Sequence, residues 1–162
     1  MKALVISLLA CLCIGLTVAE AGDEKPWFDL ENCGMCKGMS SIPGLMENMT
    51  WETHVISNGM MTFTMVDAEY AKAYAKAKKM MEATGKKMME GEKVDLCGFC
   101  SSFGSLAMAG ANIEAVETKG GEVMLMTSAD EALVKKIQAH AETSIEEFAK
   151  MQEHDAHAGH NH

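Results

Sequence analysis

The sequence predicts an α+β fold: an internal duplication of a helix–β-hairpin–helix unit, with a four-stranded antiparallel sheet and helices packed mainly on one face. Three observations predict it. Cys33-Gly34-Met35-Cys36 returns as Cys97-Gly98-Phe99-Cys100, a step of 64 residues (97 − 33), and repeats on this scale take precedence over single elements. Each motif is followed by two short alternating segments around a turn signal. A long stretch of helical periodicity then closes each copy.

Taken in order, Lys2 leads an apolar run from Ala3 to Val18, followed by Ala19-Glu20-Ala21. A charged start, an apolar middle and small residues at the cut read as a secretory signal peptide covering residues 1–21. The alternative address is a lipoprotein anchored at Cys11, because Leu8-Leu9-Ala10-Cys11 has the outline of a lipobox. Both place the chain in the periplasm or outside the cell, where disulfides persist. Beyond this segment no apolar run is long enough to span a bilayer. The first repeat then covers residues 22–92, the second residues 93–152, and a histidine-rich tail residues 153–162.

Within each repeat the Cys-Gly-x-Cys motif should open a helix. In the second copy Phe99, Phe103, Leu106 and Met108 are its core candidates, whereas Pro43 should kink or restart the helix of the first. Strands are expected from Trp51 to Ser57 and Met60 to Val66, joined by Asn58-Gly59, a strong hairpin signal. Their counterparts run from Asn112 to Thr118 and Glu122 to Thr127, joined by Lys119-Gly120-Gly121. A step of 61 aligns Phe63, Met65 and Ala68 with Met124, Met126 and Ala129. Phe63 with Met65, and Met124 with Met126, should therefore face inward. A helix starting at Asp67 or Ala68 carries Tyr70, Tyr74, Ala77 and Met81 as its stripe. Ser128 and Glu131 form a capping box for the last helix, whose stripe is Leu133, Ile137, His140, Ser144, Phe148 and Met151. A lone hairpin is marginal in water, so the two should pair edge to edge.

Composition narrows the function. The 162 residues carry a net charge of −9, and all 14 basic residues are lysine. An acidic chain of this kind does not neutralise phosphates, so nucleic acid is not an expected partner. There is no phosphate loop, no serine nucleophile elbow and no GxGxxG, and Cys-x-x-Cys-His is absent, so c-type haem attachment is not indicated. Lys72, Lys76, Lys78, Lys79, Lys86 and Lys87 read as a solvated helix face. No catalytic constellation stands out, which favours a binding protein over an enzyme.

What does stand out is sulfur: 16 Met and 6 Cys, against 6% aromatics. Two paired thiols at the start of a helix meet free backbone N–H groups and the positive end of its dipole, which favours thiolate. Three chemistries compete. The pairs Cys33/Cys36 and Cys97/Cys100 could hold a soft or borderline metal, copper or zinc, as two small sites or one. They could be disulfide staples, although a CxxC loop is too short to contribute much entropy. They could exchange electrons with a redox partner, although neither motif follows a strand in the thioredoxin manner.

Supporting donors lie nearby. Met35 sits inside the first motif and Met39 one turn beyond it, while the other methionines read mainly as flexible core. His154, His157, His160 and His162 form a tail suited to capturing divalent metal. His140 reads as a core-edge histidine, and His54 reaches the first motif only if the sheet lies beneath it. The leading expectation is an exported copper- or zinc-binding protein using Cys33, Cys36, Cys97, Cys100, Met35, Met39 and the tail. A periplasmic redox or metal-transfer protein is its expected partner.

Overall fold

A computed structural model describes residues 25–158, with side chains described for 25–152. The segment expected to be a signal peptide, with Cys11 and Cys13, lies outside the described residues, as do the side chains of His154, His157, His160 and His162. In chain order the elements are α1 (Lys37–Ser40), β1 (Met49–Ile56), β2 (Gly59–Val66), α2 (Ala71–Met89), α3 (Gly98–Met108), β3 (Asn112–Thr118), β4 (Gly121–Thr127) and α4 (Glu131–Ala158).

The four strands form one antiparallel sheet in the order β1-β2-β4-β3. The hairpins thus meet edge to edge through β2 and β4, as the marginal stability of a lone hairpin requires. Both turns are two-residue turns: Ile56 pairs with Gly59 across Ser57-Asn58, and Thr118 with Gly121 across Lys119-Gly120. The first turn therefore sits one residue earlier than Asn58-Gly59. Gly59 and Gly121 begin their strands at φ 154° and 152°. A Cβ at Gly59 would run into the Met126 carbonyl, and one at Gly121 into the Thr64 carbonyl. Glycine is needed at both because the central strands approach backbone to backbone there.

This register overturns the inward placement of Phe63 and Met65. Thr62 pairs with Met124, and Phe63 with Val123. Gly59 and Gly121 take the same place after their turns, one position away from the expected match of Phe63 with Met124. With a side-chain period of two, a single step moves a whole strand to the other face. Met60, Thr62, Met124 and Met126 share the helix-covered face, with Met60, Thr62 and Met126 buried. Phe63 and Met65 lie on the opposite face, where Met65 is 48% exposed.

The helices pack on one face. Leu106 of α3 and Leu133, Ile137 and Ala141 of α4 close over Met60 and Met126. Ala77 of α2 packs with Leu45 and Val66. The long helix of the second half lies mainly over the first hairpin, β1 and β2. Reciprocally, Lys78 of α2 reaches the second hairpin, pairing with Glu117 and Glu122. Lys78 is thus held by two carboxylates, which push its pKa up, and is not merely a solvated lysine.

Further local expectations are corrected. Cys97 stands at the N-cap of α3, but Cys36 precedes only the single turn α1, and the chain turns at Pro43-Gly44. A short helix leaves room for the chain to fold back toward β1. Met108, at the exposed end of α3, is 85% exposed and not core. Asp130, rather than Ser128 with Glu131, caps α4: its Oδ1 accepts from the Leu133 N–H at 2.9 Å, while Ser128 Oγ accepts from the Asp130 N–H at 3.0 Å. Aspartate and serine compete for the same role here, and the residue nearer the helix takes it.

Candidate metal centre

Both Cys-Gly-x-Cys segments are held by backbone hydrogen bonds that join the two halves. The Gly34 N–H donates to the carbonyl of Asp95, just ahead of the second motif, at 2.8 Å. The first N–H groups of α3, from Gly98 and Phe99, donate to the carbonyls of Pro26 and Trp27 at 3.0 and 2.9 Å. The glycines follow from these contacts, because a Cβ at Gly34 would strike Val94 and one at Gly98 would crowd Trp27. Asp29 organises the approach to Cys33. Its carboxylate accepts from the backbone of Asn32 and Glu31, which lowers its pKa.

The two motifs consequently converge. The sulfurs of Cys33, Cys36, Cys97 and Cys100 all lie within 4.8 Å of one another. Cys36 Sγ is 3.7 Å from Cys97 Sγ and 3.6 Å from Cys100 Sγ. All four are free thiols. Cys33 and Cys97 are 1% and 2% exposed, and Cys36 is buried at 9%. Of the two arrangements the sequence left open, two small sites or one, the chain brings the four sulfurs together in one place.

The thiols are not equivalent. Hydrogen bonding from Cys100 pulls Cys36 down to about 6, with help from Cys33 and Cys97 against the cost of burial. The same contact pushes Cys100 up, because it serves as donor to the Cys36 thiolate. Burial raises Cys97. The cluster thus shares its protons around one sulfur that ionises first, and a cation entering it must displace the protons that remain.

Compared with protein families, with curated proteins and with solved structures, the chain has no match. Its function has to be argued from the site. A zinc–sulfur bond of about 2.3 Å places tetrahedral sulfurs about 3.8 Å apart. The cross-motif separations of 3.6 and 3.7 Å fit that figure. Four cysteines in this arrangement can hold a metal ion.

Around the cluster the scarce aromatics are concentrated. Phe99 lies 5.1 Å from Trp51, 5.4 Å from Phe28 and 6.3 Å from Trp27, ring centre to ring centre, and Phe148 stacks edgewise on Trp51 at 5.7 Å. Cys36 and Cys100 form part of the wall of a cavity of about 230 Å³ lined also by Phe28, Trp51, Phe99, Phe148 and methionines. Met35 packs against the cysteines, and both Met35 and Met39 line this cavity.

The histidines divide. His140 is 3% exposed, with Nδ1 2.9 Å from Ser102 Oγ, Nε2 without a partner, and its ring among Trp27, Phe99 and Phe103. Burial pulls its pKa down to about 4, so it stays neutral. His54 lies on the open face of the sheet beside Phe63 and Glu52, away from the cysteines. Sequence reasoning missed the wall formed by Phe28, Trp51 and Phe148. Their clue was composition: a chain poor in aromatics that spends both tryptophans and most phenylalanines in one place.

Proposed function

We propose that this is an exported protein that binds a soft or borderline metal, copper or zinc, through one four-cysteine centre assembled from two Cys-Gly-x-Cys motifs. The observation that carries the reading is the convergence of four sulfurs, three of them on buried cysteines, from sequence-distant motifs within 4.8 Å. Thiolate sets in nearly tetrahedral array suit zinc, and thiolates with thioethers nearby suit Cu(I). Met35 and Met39 would then stand at the mouth of the centre. The finer parts of the proposal rest on sequence. Residues 1–21 act as the export signal, with lipid anchoring at Cys11 as the lesser route. Residues 22–92 and 93–152 descend from one duplicated unit. The tail with His154, His157, His160 and His162 gathers metal at low affinity, and a periplasmic metal-transfer or redox protein exchanges with the site.

The test is metal titration of the reduced mature protein beside its C33S/C36S/C97S/C100S variant. Co(II) should give thiolate-to-metal charge-transfer absorption at one equivalent, displaced by Zn(II), in the wild type only. Equal binding by both proteins would overturn the reading. A second reading, thiol–disulfide exchange, draws support from the lowered pKa of Cys36. It requires a CxxC reduction potential well above that of structural disulfides, near the range of exchange catalysts. Equilibration of the metal-free protein with glutathione buffers distinguishes the two.

A further inference from the structure

The cavity beside the cysteines has a wall that hydrophobic packing alone does not explain. Its volume is about 230 Å³. Apolar cavities lined by leucine, isoleucine and phenylalanine stay dry and bind only apolar guests. This one has phenylalanines in its wall too, but adds six methionines, Met35, Met39, Met46, Met49, Met81 and Met124. They come from separate places: the first motif, α1, the turn before β1, the start of β1, the middle of α2, and β4. Four of the six come from residues 35–49 and the others from α2 and β4, so three parts of the chain bring one donor type to the same cavity. Met88, Met89 and Met108, by contrast, play no part in it, and Met89 and Met108 are over 80% exposed.

We propose that this cavity is a second soft-ion site, in which Met46, Met49, Met81 and Met124 hold a monovalent d¹⁰ cation, Cu(I) or Ag(I), beside the cysteine centre. Thioether sulfur selects Cu(I) over divalent borderline ions. A single charge also costs less to desolvate than a double one in so apolar a space. The only ionic side chain in the wall besides the thiols is Glu122, an anion shared with Lys78, and no lysine lines the space among the described residues. Cys36 and Cys100 border the same cavity, so an ion leaving the thioethers meets sulfur without crossing bulk water. Binding is a ligand exchange in which thioethers replace water or buffer ligands, with no change of oxidation state.

Silver, which needs no reductant, is the probe. In the C33S/C36S/C97S/C100S background one equivalent of Ag(I) should bind, and adding M46L/M49L/M81L/M124L should weaken it by 100-fold or more. Leucine keeps the apolar volume, so the fold should tolerate the change. Should the serine background fail to fold, the C33A/C36A/C97A/C100A background, which leaves no thiol to compete for silver, supplies the same readout by methyl NMR. One equivalent of Ag(I) should shift the ε-methyl signals of those four methionines and leave Met89 and Met108 in place. Equal Ag(I) affinity with and without the four leucines, or methyl shifts confined to exposed methionines, overturns the proposal. The Co(II) titration of the cysteine centre is a separate outcome: its failure leaves the silver result standing, and the reverse holds too.

Discussion

Cys36 and Cys100, separated by 64 residues in the chain, lie 3.6 Å apart, sulfur to sulfur. Neither belongs to the other's motif, so the contact couples the two halves of the molecule at the point where they present their thiols. Removing either should do more than delete one donor. We expect C36S and C100S each to lower Zn(II) affinity at least 100-fold. Each should also abolish most of the rise in unfolding midpoint that saturating zinc produces. A ligand at 100 times its Kd stabilises the folded state by about 2.7 kcal/mol, well within reach of urea unfolding with and without zinc.

The same contact predicts unequal ionisation. Cys36 titrates at about 6, whereas Cys97 and Cys100 are raised. In the metal-free protein, absorbance at 240 nm should therefore rise by one thiolate as pH increases through about 6. The C36S variant should lack that step. A first step near the ordinary thiol range would contradict the assignment.

His140 makes stability depend on acid. Its folded pKa, about 4, lies below the ordinary 6.5 because burial disfavours the charged ring. The contribution is present above pH 6.5 and is lost as pH falls from there toward 4, since the unfolded chain takes up the proton first. Urea midpoints measured at pH 7.5, 6 and 5 should fall progressively. In H140F that part of the slope should disappear.

Gly59 and Gly121 should be intolerant of a side chain. G59A and G121A each drive a Cβ into a neighbouring strand's carbonyl at a strongly positive φ. Each should cost about 2 kcal/mol or more by equilibrium unfolding. Gly85, inside α2 with open space around it, is the contrasting case. G85A should stabilise by about 1 kcal/mol, the ordinary helix gain over glycine.

Much of this was legible in the amino-acid order because it depends on neighbours in the chain. Two turn signals and alternating segments define the hairpins, and Asn112–Thr118 forms β3 as expected. Helical spacing picks out Leu133, Ile137, His140 and Ser144, all buried on α4. The pairing of thiols within each motif, and the choice of metal-type donors, also follow from spacing and chemistry alone.

What the sequence by itself determined, then, was the local inventory: two hairpins, two long helices and four cysteines in two pairs. Which face Phe63 and Met65 take was decided by a one-residue difference in turn position. Gly59 corresponds to Gly121, and a period-two strand reverses with a single step. The union of the cysteines was decided by contacts between distant segments: the β2–β4 seam, the Gly34 N–H on the Asp95 carbonyl, and the Pro26-Trp27 carbonyls on the start of α3. Such contacts join residues whose separation in sequence carries no periodic signal. Only the packed tertiary structure turns two ordinary CxxC pairs into one four-sulfur centre.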